Sequence, residues 1–183
     1  MARSSLPLKS AVAAVLLALT APAFAEDHLQ PLYDALKEAE GLAAEEIAQK
    51  IWEEWSKSGS PSMDLLLERG REAMAMGDPT RAVEHLSVLV EQAPAFAEGW
   101  NARATAYFQL GQYTLSLSDI RRTLALNPQH FGALGGLAVI LEELGYDIEA
   151  LEAWRAVEAI YPSQPQVAQA VERLSRKVEG QTL

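Results

Sequence analysis

The chain contains no cysteine, only three histidines and 7% aromatic residues. Without cysteine there is no disulfide, no thiolate nucleophile and no residue to carry the lipid of a bacterial lipoprotein. A metal site would rest on histidine and carboxylates alone, and His28, His85 and His130 are too far apart in sequence for the i, i+4 pairing of a helical site. Neither a metal nor another cofactor is therefore expected. Basic residues are also few, 15 Lys and Arg against 25 Asp and Glu for a net charge of −10, which argues against a nucleic-acid partner. Val, Ile and Thr are sparse and never alternate cleanly with polar residues, so sheet structure is not expected. No Gly-x-Ser-x-Gly elbow marks a serine nucleophile.

Long apolar runs are confined to the start. Arg3 and Lys9 precede the apolar run Ala11 to Leu19, and Ala23-Phe24-Ala25 follows. These are the three zones of a secretory signal peptide, so residues 1–25 are expected to be cleaved after Ala25 and the protein to be periplasmic. The run is too short for a stable membrane anchor. Cleavage would leave 158 residues with 13 basic and 25 acidic side chains, a net charge of −12. That length suffices for one domain with a substantial core, held by packing alone.

What is abundant is Ala, Leu, Glu, Arg and Gln at helical spacing, so everything after Asp27 reads as helix. The columns then repeat: Gly77, Gly111 and Gly145 stand 34 residues apart, as do Pro94, Pro128 and Pro162, and Ala82, Ser116 and Ala150. Leu66, Trp100 and Leu134 keep the same step, and so do Leu86, Ile120 and Trp154. With these residue types the period resembles the tetratricopeptide repeat (TPR), over residues 63–96, 97–130 and 131–164. The middle repeat is nearest, with Trp100, Tyr107, Gly111, Tyr113 and Pro128 in place. It departs at Arg103, where the family prefers Leu, and at Ser116, where it prefers Ala.

The resemblance implies an all-α fold, a solenoid of antiparallel helix pairs wound into a superhelix. Small residues at Gly70, Ala104 and Ala138, facing Ala82, Ser116 and Ala150, let the two helices of a pair approach. The glycine before each second helix makes the turn, and the proline after it ends the helix. Leu66, Trp100, Leu134, Leu86, Ile120 and Trp154 are expected to fill the seams between neighbouring pairs.

Residues 26–62 keep the register weakly, Trp52 aligning with Leu86 and Trp55 with Leu89, and are expected to form a helical pair divided at Gly41. This is either a degenerate opening repeat or a helical cap. In residues 165–183, Val167, Ala170, Val171 and Leu174 make the apolar stripe of a capping helix.

The stretch Asn127 to Gly145 places Gly132, Gly135 and Gly136 just after His130, which invites comparison with a phosphate loop. Such a loop needs a strand before the glycines. Here Pro128 closes a helix instead, so the glycines are expected inside one, for close packing or as a bare patch on the concave face. Paired carboxylates such as Glu53-Glu54 and Glu142-Glu143 point about 100° apart on a helix and read as solvated faces. Arg103 and Asp119 lie on facing helices and are expected to pair or to touch a ligand.

TPR proteins bind partners mainly along the concave face, lined by the first helix of each pair. Carried over by register, the resemblance points to Asp64, Leu67, Glu68, Arg71 and Met74, to Glu98, Asn101, Thr105, Phe108 and Gln109, and to Gly132, Gly135, Gly136, Val139 and Glu142. His130 and Asn101 are expected on the rim. The apolar strip Leu67, Met74, Phe108 and Val139, rimmed by acids, would suit a peptide or helix with apolar anchors and basic residues. One TPR subgroup grips a C-terminal carboxylate with Lys, Asn and Arg. This chain has Arg71 and Asn101 but lacks the lysines and the second arginine. The resemblance extends to small secreted TPR proteins of Gram-negative bacteria. It implies a non-enzymatic adaptor that binds a protein partner, with homo-oligomers possible. The alternatives are a subunit or assembly factor working through its convex face or end cap, and a small-ligand binder or enzyme.

Overall fold

The computed structural model describes residues 27–181, so the leader and its cleavage point lie outside the described residues. These form nine α-helices and no strand. A short 3-10 turn leads into α1 (Gln30–Glu38) and α2 (Gly41–Trp55). Three antiparallel pairs follow: α3 (Pro61–Ala75) with α4 (Pro79–Gln92), α5 (Ala97–Gln109) with α6 (Tyr113–Leu126), and α7 (Phe131–Glu143) with α8 (Asp147–Glu158). Helix α9 (Val167–Gln181) closes the end. None of them is long and apolar enough to cross a membrane.

The 34-residue columns have direct structural causes. Gly77, Gly111 and Gly145 adopt φ of 77°, 68° and 76°, the left-handed conformation that glycine adopts without steric cost, and each closes the turn between the helices of a pair. Inside the first pair a Cβ on Gly70 would lie 2.5 Å from Leu86 Cγ, so the small residue is required by the buried leucine opposite. Ser116 stands where alanine is expected because its hydroxyl donates to the Ala104 carbonyl at 2.8 Å, across the α5–α6 contact. Leu86, Ile120, Leu134 and Trp154 are buried as the columns predict, whereas Leu66 and Trp100 are only partly buried. The Trp100 indole instead donates to the Pro94 carbonyl and carries the Arg103 guanidinium 5.0 Å above it.

Arg103 is bidentate on Asp119, Nε to Oδ2 at 2.7 Å and Nη2 to Oδ1 at 2.9 Å. It also donates to Ser87. Three helices are thereby tied at one side chain, and the Asp119 carboxylate holds the arginine above its ordinary pKa.

At the far end Val167, Ala170 and Leu174 of α9 are buried against the last pair, with Val171 half-buried. Arg173 and Lys177 pin the helix to Glu142 and Asp147, both at 2.7 Å.

The first pair of helices departs from a repeat. Helix α4 packs on α5 and α6 on α7, but α2 has no comparable contact with α3. Leu29, Tyr33, Leu36, Ala44, Ala48, Ile51 and Trp55 join the core formed by Phe131, Leu134 and Leu137. The core of the first repeat, around Leu67, Leu86 and Leu89, contains none of them. Ser163, beyond α8, donates to the Ala39 carbonyl at 2.9 Å. The α1–α2 hairpin therefore does not stack ahead of the first repeat. It crosses the concave side and docks on the third, as a helical cover laid in the groove.

Candidate functional site

Docking is driven by the aromatic stripe of α2. The Trp55 ring stacks on His130 with centroids 4.0 Å apart, and its indole donates to the Tyr33 hydroxyl at 3.2 Å. Trp52 meets Trp55, His130 and Phe131 edge-on at 5.1, 5.3 and 5.7 Å. Gly132 makes this possible, because a Cβ there would lie 2.5 Å from Trp52 Cη2.

Below the tryptophans lies a polar cluster centred on Glu98, which is 3% exposed. Its carboxylate accepts from Arg71 Nη2 at 2.6 Å, Asn101 Nδ2 at 3.1 Å and His130 Nε2 at 2.9 Å. His130 Nδ1 in turn accepts the Ala133 amide at 3.1 Å, capping α7. An acceptor at Nδ1 leaves the proton on Nε2, which donates to Glu98. Arg71 also donates to Ser56 at the end of α2, 3.0 Å away. A buried carboxylate is tolerable only with such partners.

These contacts revise the expected site. His130 and Asn101 do not lie on a rim, since the histidine is fully buried and the asparagine 8% exposed. Glu98 is likewise no rim acid, Leu67 belongs to the core of the first repeat, and Gly132 lies against Trp52 on its Cβ side while still lining the pocket described below. Gly135 faces its own hairpin partner, its Cβ direction pointing to Trp154 Cζ3 at 3.9 Å. Glu142 is engaged by the Trp154 indole at 2.6 Å and by Arg173. Asp64 accepts from Ser58 and fixes the loop before α3, while Glu68 is exposed.

Beside α2 the concave face stays open. A cleft of about 820 Å³ runs between Gln49, Trp52 and Glu53 of α2 and Arg71, Met74, Asn101 and Thr105 of α3 and α5. It leads to an apolar pocket of about 160 Å³ bounded by Thr105, Phe108, Ile120, Gly136, Val139 and Ile140. The expected residues that face this open space are thus Arg71, Met74, Asn101 and Thr105 in the cleft and Phe108, Gly132, Gly136 and Val139 in the pocket, with Gln109 exposed nearby. Trp52, Trp55 and Ser56 were not foreseen in the groove. The signal for them was the coincidence of an i, i+3 tryptophan pair with a bare glycine on α7. Among the described residues no group of three or more His, Asp or Glu could hold a metal ion. The arrangement offers shape, apolar surface and hydrogen bonds.

Comparison with known proteins agrees with this architecture. A family model described as tetratricopeptide repeat matches residues 67–119 and 101–165. A TPR repeat-containing protein of Rhizobium etli is 36% identical over 156 residues, 85% of this chain and 76% of that protein. Among solved structures, the first TPR of Spaghetti (RPAP3) bound to the HSP90 peptide SRMEEVD is similar with a TM-score of 0.62 at 21% identity, covering 66% of this chain and 95% of that one. The Sgt2 TPR domain from Aspergillus fumigatus gives a TM-score of 0.62 at 24% identity, covering 67% and 83%. An all-α solenoid of three 34-residue helix pairs with these matches belongs to the tetratricopeptide repeat family.

Proposed function

We propose that this protein is a periplasmic adaptor, acting by binding and not by catalysis, that holds a peptide or helix of a partner protein in the open part of its concave groove. The observation that carries the reading is the apolar strip Met74, Phe108 and Val139, which α2 leaves uncovered while it fills the neighbouring groove. The peptide in the Spaghetti complex supports a peptide ligand in general. An acidic one such as SRMEEVD does not suit this chain, whose net charge is −10 and whose Arg71 and Asn101 are spent on Glu98. The fitting partner has apolar anchors beside Lys or Arg.

A second reading, assembly with an envelope complex, draws on the edge where the helices of each pair turn. Met76, Leu115, Leu144 and Ile148 are 82%, 46%, 38% and 55% exposed there. The two separate by substitution in the mature-length chain. Loss of a captured partner on Phe108→Glu and Met74→Glu, with retention on Met76→Glu and Ile148→Glu, supports the groove. The opposite pattern removes it. Cell fractionation with N-terminal sequencing checks the compartment, expected to show a chain starting at Glu26.

A further inference from the structure

Helix α7 carries two notches on its concave side, one turn apart, at Gly132 and Gly136. The first is filled from within the chain by Trp52. The second is not: a Cβ at Gly136 has one neighbour within 4 Å, Ile120 Cδ1 at 3.6 Å. The apolar pocket of about 160 Å³ opens there, reaching from Gly132 past Gly136 and walled by Phe108, Ile120, Val139 and Ile140. An apolar cavity of about 150 Å³ holds one benzene ring, so the space matches one leucine or phenylalanine side chain. Trp52 on Gly132 shows the mode of insertion, a large side chain from a neighbouring segment set on a bare turn of α7.

The surroundings select charge as well. Glu143 is exposed one turn beyond Val139, within 3.4 Å of the Tyr113 hydroxyl, and the nearby Arg173 is paired with Glu142, which leaves the Glu143 charge and the free carbonyls at the C-terminal end of α7 as the local negative field. Resting on the reading that the groove binds a partner segment, we propose that the Gly136 pocket is its specificity pocket. It receives one leucine or phenylalanine from a partner segment that carries Lys or Arg within about one turn of that anchor.

The test is selection of displayed random peptides on the mature-length chain. Enriched peptides should share a single Leu or Phe beside a basic residue. Changing that anchor to Ala in the peptide should weaken binding about thirty-fold, about 2 kcal/mol at 1.4 kcal/mol per tenfold. Gly136→Leu, which fills the pocket, should weaken the same peptides equally, and Gly135→Ala, on the Trp154 side, should leave them unchanged. Enriched peptides without a common apolar anchor, or ones that tolerate both the anchor change and Gly136→Leu, overturn the pocket but leave groove binding standing. Absence of any enriched peptide, or binding that survives Phe108→Glu, overturns the groove reading itself.

Discussion

Three glycines of α7 receive the same substitution and are expected to respond with different signs. Alanine in place of a helix-interior glycine stabilises by roughly 1 kcal/mol when nothing obstructs the methyl group. At Gly135 the new Cβ meets Trp154 at 3.9 Å and at Gly136 it meets Ile120 at 3.6 Å, both ordinary van der Waals contacts. Each of these variants should therefore gain most of that amount. At Gly132 the same methyl would lie 2.5 Å from Cη2 and 2.6 Å from Cζ2 of Trp52. The indole is wedged against Trp55, His130 and Phe131, so it must leave its seat or push α2 away.

Overpacking of this kind costs about 1–3 kcal/mol. Because Gly132 is in the first turn of α7, its propensity gain is smaller than at the interior positions. Gly132→Ala should then fall below Gly135→Ala by about 2–4 kcal/mol, which at about 2–4 °C per kcal/mol is readable in a thermal melt. Urea denaturation followed by circular dichroism gives the free energies, and tryptophan fluorescence reports whether the indole has moved. If Gly132→Ala is as stabilising as Gly135→Ala and leaves the fluorescence unchanged, α2 is not seated on α7 and the account of the groove fails.

Other consequences are open to the same assays. Trp55→Ala removes a buried ring stacked on His130 and should cost about 3–5 kcal/mol, whereas a ring in a loosely attached cap would cost a fraction of that. Glu98→Ala strands the buried ends of Asn101 and His130, and Arg71→Ala leaves the buried Glu98 carboxylate without its guanidinium, so each should cost about 3 kcal/mol; a loss below about 1 kcal/mol for Arg71→Ala would argue against a buried charge at Glu98. The Tyr161 phenol is held above its ordinary pKa, first by burial and then by the charge of Glu45 on α2. A raised folded-state value means that stability present below about pH 10 is lost as pH rises through the folded pKa. Tyr161→Phe should flatten that alkaline loss in urea titrations, and an unchanged slope would remove the assignment.

How much of this was legible in the sequence follows from the range of the interactions. The 34-residue columns encode contacts within one pair of helices or between adjacent pairs, and each column has a nearby cause: a left-handed turn at Gly77, Gly111 and Gly145, a tight crossing at Gly70, a seam at Leu86 and Ile120. Repetition makes such local causes visible three times over. The docking of α2 is encoded once and at long range, through the fit of Trp52 to Gly132 and of Trp55 to His130. An apolar stripe at helical spacing satisfies either arrangement, so Trp52 and Trp55 read equally well as the seam of an opening repeat. The same limit applies to the polar residues. Register groups Arg71, Glu98 and Asn101, which the structure brings together in one cluster, but says nothing of what lies above them.

The cover changes what the inner face can recognise. In a solenoid left open, Arg71, Asn101 and His130 would be solvated and free to meet a ligand; under α2 they satisfy Glu98 and one another. Releasing them for a ligand would strip partners from a carboxylate that is 3% exposed and would uncover Phe131 and Trp55, which are 3% and 4% exposed. That loss is of the order found for opening a core, larger than the few contacts a short peptide gains in return. A ligand of the proposed kind is therefore confined to the part of the groove that needs no rearrangement, from Met74 past Phe108 to Val139. A footprint so short cannot rely on length for affinity. It favours a ligand that concentrates its contacts in one anchor and its selectivity in the charge beside it.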